Sequence, residues 1–331
     1  MLHGRKRFIT ALTGFVAVLS VALVPTSPTY AEPDIDDVQA RVDKLYHQAE
    51  QASERYNDAR LALTGLEKDL VALKADVAVQ QAKVDKIQGS VDEAIAAQYE
   101  GQSLSATGQL VLSDDPAEFL NELTTLDSFN DLQAQTVQSY AIEAKALRIR
   151  REAVADRAKE LEATKKALAK EKATADAKLD QAEDLLDDLK AEERAEFEAA
   201  ASRGFSMRLP TNVPVSGRAA AAVNYALAQV GDSYVYGAAG PNAFDCSGLT
   251  MMAWAQAGVG LPHSSGAQQG SGTPVSSGSL QPGDLVFYYS PVSHVGIYIG
   301  GGRIVHAANP GTGVVVSGVF SMPYSGAVRP G

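Results

Sequence analysis

A seven-residue apolar repeat runs through the first third of the chain and restricts its fold more than any other feature. Starting at Ile35, Val38, Val42, Leu45, Ala49 and Ala52 and continuing through Leu63, Leu66, Leu70 and Leu73 to Val84, Ile87, Val91 and Ala94, the a and d positions are apolar over nine heptads. Only Gln80 breaks the series. A 3.5-residue period keeps one seam facing a partner, so the repeat predicts a coiled-coil helix over 32–100, on the order of 90 Å long. Gly65 and Gly89 are local weak points, each costing roughly 1 kcal/mol relative to alanine.

The pattern breaks between Gly101 and Pro116, where Gly, Ser, Thr and Asp114-Asp115-Pro116 predict a turn. Leu104, Leu110, Val111, Leu112, Phe119, Leu120 and Leu123 make this turn, taken as 101–123, more apolar than a solvated tip requires. A second helix is expected from Pro116 to Ala200, with Tyr140, Leu147, Val154, Leu161, Leu168, Ala175, Ala182 and Leu189 recurring every seven residues. The alternate seam carries Arg151, Lys165 and Lys172, so its apolar stripe is narrower. Two arrangements satisfy the pattern: an antiparallel helical hairpin over 32–200, or pairing between two chains into a dimer.

Residues 1–31 read as a signal peptide: Arg5-Lys6-Arg7, a 16-residue apolar core from Phe8 to Leu23, and Thr29-Tyr30-Ala31 as a small-x-small cleavage site. An uncleaved anchor is the alternative, but this core is shorter than the roughly 20 residues that span a bilayer. The expectation is export to the cell envelope or cell wall of a bacterium. Removing the three basic residues would take the net charge from -11 to -14, and an acidic surface argues against nucleic acid as a partner. Gly204, Pro210 and Pro214 mark residues 201–216 as a linker.

From Gly217 the composition changes: no Lys or Glu remains, and three Arg balance three Asp. Helical stretches at Arg218–Val230 and Cys246–Ala257 are followed by strand-like runs at Asp284–Tyr289, His294–Ile299, Arg303–Ala307 and Val314–Val319, which predicts an α+β domain over 217–331. It holds the only cysteine, Cys246. A thiol must ionise to attack a carbonyl. Asp245 is placed to cap the helix, and a cysteine in the first turn feels the positive end of the helix dipole. His294 begins an alternating run in which Gly296 leaves room for another group, and the Gly300-Gly301-Gly302 turn brings His306 back beside it. By spacing alone, Cys246 with His294 and His306 can be a nucleophile with its base, a buried inert thiol beside structural histidines, or a zinc site with three ligands and no close pair.

The motifs Gly231-Asp232-Ser233-Tyr234-Val235-Tyr236-Gly237, Phe244-Asp245-Cys246-Ser247-Gly248-Leu249, Leu280-Gln281-Pro282-Gly283-Asp284-Leu285, His294-Val295-Gly296-Ile297-Tyr298-Ile299-Gly300 and Val305-His306-Ala307 resemble those of NlpC/P60 cysteine peptidases. The resemblance implies a papain-like fold with Cys246 as nucleophile, His294 as base and His306 as the orienting residue. It further implies that Tyr234 and Ser247 line the oxyanion and substrate site, that no metal or other cofactor is needed, and that the substrate is peptidoglycan, cut between D-glutamate and the diamino acid. Many relatives carry Arg before Ser/Thr in the loop after the cysteine helix; this chain has Pro262-His263-Ser264-Ser265, so His263 and Ser264 are candidate substrate contacts, and His263 equally a solvent-exposed loop residue.

The whole chain is similar to actinobacterial cell-division hydrolases of the Rip type. That similarity implies daughter-cell separation as the task and an FtsEX-type membrane complex docking at 101–123 as activator; packing of those apolar residues within the hairpin itself is the alternative. An adaptor that uses the rod to activate another hydrolase, with a weak or inactive peptidase domain, is the alternative. A rod this long on a linker could also fold back and cover the cleft, so residues 217–331 alone are expected to outpace the mature protein.

Overall fold

The computed structural model describes residues 35–99, 116–189, 194, 195 and 217–331. The expected signal segment, residues 101–115 of the expected turn and the expected linker 201–216 lie outside them.

Two helices form the N-terminal part: α1 (Ile35–Tyr99), 65 residues long, and α2 (Pro116–Asp187), 72 residues long. They run antiparallel, because the partner on α2 moves back as α1 advances. Val38, Val42 and Tyr46 cluster with Ala182 and Leu189. Arg55 then pairs with Glu171 at 2.9 Å, Asp69 with Arg157 at 3.4 Å, and Gln80 donates to the Glu143 carbonyl at 3.1 Å. The heptad residues Ala49, Ala52, Leu66, Val84, Leu147, Leu161 and Ala175 are buried, so the seam of α1 is filled by α2 of the same chain. Gln80, the one polar residue of the repeat, is buried with them, and its amide also donates to the Glu143 carboxylate. A polar seam residue satisfied across the interface fixes the register of the pair.

The C-terminal domain is α+β. Helix α3 (Gly217–Ala228) precedes a short parallel pair, β1 (Ser233–Tyr234) and β2 (Ala243–Phe244), which leads into α4 (Cys246–Ala255) and α5 (Ser265–Gln269). Six antiparallel strands follow: β3 (Thr273–Pro274), β4 (Leu285–Tyr288), β5 (His294–Gly300), β6 (Arg303–Asn309), β7 (Gly313–Gly318) and β8 (Tyr324–Arg329), in the order β3-β8-β4-β5-β6-β7. The meander β4 to β7 matches the four expected runs. Strand β8 was not expected, because Ser325-Gly326-Ala327 carries no β-branched or aromatic run; it is held by pairing on both sides, with Val286 opposite Ala327 and Thr273 opposite Arg329.

The main core lies between α3, α4 and one face of this sheet, where Leu249, Ala253 and Trp254 meet Val295, Ile297 and Val305. The α4 helix stops at Ala255 rather than Ala257; Gly258, at φ 72°, takes the left-handed conformation that ends the segment. A smaller cluster of Val286, Tyr288, Ile304, Val319 and Ala327 covers the other side. Together these layers fix the start of α4 against the start of β5.

Candidate active site

The site is built where β2 turns into α4. Asp245 stands in the extended region (φ -92°, ψ 176°) and its Oδ1 accepts from the Gly248 amide at 2.6 Å, closing the first turn as an N-cap. Gly248 is required by packing, since a Cβ there would lie 2.2 Å from the Ala238 carbonyl oxygen and 3.0 Å from His263 Nε2. Cys246 opens the helix and is fully buried. His294 opens β5, and the hairpin through Gly300 brings β6 alongside. A Cβ on Gly296 would stand 3.2 Å from His306 Cβ, so the missing side chain is what lets the second histidine approach. His294 Nε2 is 2.7 Å from His306 Nδ1, and His306 Nε2 is 2.8 Å from Ser317 Oγ. The sulfur of Cys246, a ring nitrogen of His294 and a carboxylate oxygen of Glu50 lie within 4.8 Å of one another.

Glu50 does not belong to this domain; it comes from α1. The rod lies across the site along one polar stripe, Glu50, Ser53, Glu54 and Asn57, whose i, i+3, i+4, i+7 spacing places all four on one helix face. All four are buried. Glu50 Oε1 accepts from His294 Nδ1 at 2.5 Å. Glu54 Oε1 accepts from Ser247 Oγ at 2.8 Å and stands 3.7 Å from Cys246 Sγ, while its Oε2 accepts from the Ser265 amide at 2.5 Å and the Ser265 hydroxyl at 2.6 Å. The Asn57 amide donates to Asp245 Oδ2 at 3.1 Å, and Ser264 Oγ donates to Asp58 at 2.5 Å. At the edge, Tyr236 donates to the Tyr46 carbonyl at 3.0 Å, and the His47 ring lies 4.0 Å from that of Tyr289, which is held at φ 69°.

This cover changes the electrostatics. Burial, followed by the Glu54, Glu50 and Asp245 charges, pushes the Cys246 thiol well above its ordinary range, opposite to the effect expected from the helix terminus alone. Burial, with the two carboxylates that the rod brings in, outweighs a partial positive charge. Burial would raise the Glu50 carboxyl, but His294 and His47 outweigh it and hold it below the usual carboxylate value. Among the described residues no such cation offsets the burial of Glu54: burial and the Asp245 charge lift it to about 7. Burial and the His294 charge keep His306 well below an ordinary histidine, so it stands as a neutral relay with one donor and one acceptor nitrogen.

Of the remaining sequence candidates, Tyr234 is buried with its ring 4.8 Å from that of Tyr236, and its hydroxyl has no hydrogen-bond partner among the described residues. Ser247 faces Glu54 and Asp245. His263 is not a solvent-exposed loop residue: it is buried, with Nε2 at 2.8 Å from Asp245 Oδ1, bracing the capping carboxylate. Ser264 caps α5, its Oγ accepting from the Ala267 amide at 3.1 Å. The neighbour Ser265, which the sequence did not single out, holds the Glu54 carboxylate instead. Glu50, Glu54, Asn57 and Asp58 were also missed, because polar residues off the a/d seam read as a solvated face.

Residues 231–328 match the NlpC/P60 family. A probable endopeptidase of Corynebacterium glutamicum is 46% identical over 116 residues, 35% of this chain and 56% of that protein. A probable endopeptidase of Mycobacterium tuberculosis is 49% identical over 96 residues, 29% of this chain and 25% of that protein. The chain therefore spans between a quarter and about half of the length of these relatives. Among solved structures, the NlpC/p60 domain of the peptidoglycan hydrolase SagA is 37% identical over 34% of this chain and 97% of that domain, with a TM-score of 0.32.

Proposed function

Because residues 231–328 form a domain of the NlpC/P60 family, we propose that this chain is a secreted peptidoglycan endopeptidase whose rod holds it covered until it is displaced. The observation that carries the reading is the placement of Cys246 and His294 within 4.8 Å, with the Glu50 carboxylate between rod and base. In the uncovered state Cys246 Sγ attacks the amide carbonyl between D-glutamate and the diamino acid of the stem peptide. The thiol proton passes to His294 Nδ1 and then to the leaving amine, and water releases the thioester. His306, fixed by Ser317, holds the His294 ring through Nε2 and positions it for both transfers.

In the covered state neither step is open. The imidazole nitrogen that should face the thiol is bonded to Glu50, and burial together with the carboxylates around it holds the thiol protonated. Daughter-cell separation is the task this restraint suits, since a wall-cutting enzyme exported onto its substrate needs a trigger. An FtsEX-type membrane complex docking near 101–123 would act by moving the rod. The test is digestion of purified cell wall, read by mass spectrometry of the released muropeptides. Cys246→Ala is expected to abolish cleaved stem peptides with unchanged circular dichroism; retained cleavage refutes the mechanism.

A further inference from the structure

Three elements that are distant in sequence bring together a thiol, an imidazole and a carboxylate: Cys246 from α4, His294 from β5 and Glu50 from α1. One atom of each lies within 4.8 Å of the other two, and all three residues are buried. We infer that the covered site is a chelating site for a divalent metal ion of the zinc type, in which Glu50 of the rod completes a ligand set with the nucleophile and the base.

The donor set selects the class of metal. Thiolate with imidazole and carboxylate suits zinc and its first-row neighbours, whereas magnesium and calcium take oxygen ligands throughout. The pocket favours a cation: the Glu50, Glu54 and Asp245 carboxylates converge on it, and among the described residues no Lys or Arg is a hydrogen-bond or ion-pair partner of theirs. The thiol donates to Glu54 Oε1 at 3.7 Å and to the Ser293 carbonyl at 4.0 Å, and both bonds are given up when the sulfur loses its proton to bind as thiolate. The histidine is oriented as a metal-binding imidazole requires, with Nδ1 toward the site and Nε2 held by His306 at 2.7 Å.

Geometry asks for a small adjustment. Two ligands of a tetrahedral zinc, at bonds of about 2.0 to 2.1 Å, stand about 3.3 Å apart. Glu50 Oε1 and His294 Nδ1 are 2.5 Å apart with a proton between them, so the carboxylate would have to withdraw by about 0.8 Å. The ion replaces that shared proton and the thiol proton, and both leave to solvent. His294 keeps the proton on Nε2, toward His306, and Cys246 binds as thiolate. A water takes the fourth position. Bound there, the metal ties nucleophile and base to the rod in one coordination sphere, and the cover gains a lock. This consequence rests on the proposed roles of Cys246 and His294, but the metal site itself can be read without substrate.

The probe is cobalt(II), titrated into the purified full chain and followed by absorption, with zinc added afterwards as competitor. Expected are a thiolate-to-cobalt charge-transfer band and the visible bands of a four-coordinate ion, both lost on adding zinc. Cys246→Ser should remove the charge-transfer band. Glu50→Gln, nearly the same shape, should weaken cobalt binding by about tenfold or more, as loss of a ligand does at minimum when even outer-shell changes cost that much. Asn57→Ala loosens the same helix contact without touching a ligand and should leave affinity little changed. The inference is overturned if bound cobalt shows no thiolate band, if Glu50→Gln binds as tightly as the parent, or if Asn57→Ala weakens binding as much as Glu50→Gln. A failure of peptidase activity moves none of these readings.

Discussion

Glu54 makes the rod contact depend on pH, and the sign follows from its neighbours. Its carboxyl lies at about 7 under the cover, against 4.5 for an ordinary glutamate, because burial and the Asp245 charge disfavour its ionised form. A proton therefore binds more tightly when α1 is in place. The resulting stabilisation of the covered state is fully present below pH 4.5 and is lost as pH rises through about 7. At ~1.4 kcal/mol for each pH unit, the loss amounts to about 3 kcal/mol, or a change in the uncovered fraction of about two orders of magnitude. Glu50 works in the opposite sense: held low by His294 and His47, it supports closure above 4.5 and gives up its share only as pH falls through its lowered value. The window from 4.5 to 7 thus belongs to Glu54. The assay is hydrolysis of a dye-labelled wall preparation across this range by the full chain, divided at each pH by the rate of Glu54→Gln. Dividing by the Glu54→Gln rate removes the pH effects that the two proteins share. It should rise with pH by up to the stated factor, and a flat or falling ratio would refute the reasoning.

Residues 217–331 expressed alone should digest wall fragments faster than the mature chain; equal rates would remove the case for a restraining rod. Replacing Glu50 and Glu54 together with alanine should raise the rate at which iodoacetamide alkylates Cys246 at neutral pH by about tenfold or more, because each unit by which the thiol falls toward its ordinary range multiplies the thiolate fraction by ten, and mass spectrometry of the quenched protein reads this directly. Gly248→Ala should lower the midpoint of thermal unfolding, since its Cβ would meet the Ala238 carbonyl at 2.2 Å; the cost is about 1 to 3 kcal/mol, as for other overpacked sites. Differential scanning calorimetry checks it, and an unchanged midpoint would mean that the α4 start can shift freely.

The parts of the site carried by local pattern were legible in the sequence. A capping Asp245 ahead of Cys246, a Gly296 that admits His306 and a glycine turn that folds β6 onto β5 are short-range features, and each stands as the residues suggest. The heptads likewise showed which face of α1 meets α2. What they could not show is the second face of α1. Glu50, Glu54 and Asn57 are what a solvated helix surface looks like, and their burial arises only through contacts with residues about 190 to 240 positions away. The same long-range contact reversed the expectation for the thiol, since the local helix terminus is visible in sequence and the carboxylates delivered to it are not. Strand β8 escaped for a related reason, its identity resting on its neighbours rather than on its own residues.

Glu54 and Cys246 stand 192 positions apart on one continuous chain, and this has a consequence for how the cover responds to concentration. Joined by the chain, the two surfaces meet at an effective concentration of about a millimolar, whatever the number of molecules in the surroundings. A contact of millimolar strength would cover about half the chains, and each further ~1.4 kcal/mol cuts the uncovered share tenfold. Dilution cannot release such a cover, as it would a separate inhibitor that drifts away from its enzyme. A single molecule far from any other copy stays as closed as one in a crowd, and opening requires an agent that competes for Glu50 and Glu54 or draws α1 aside.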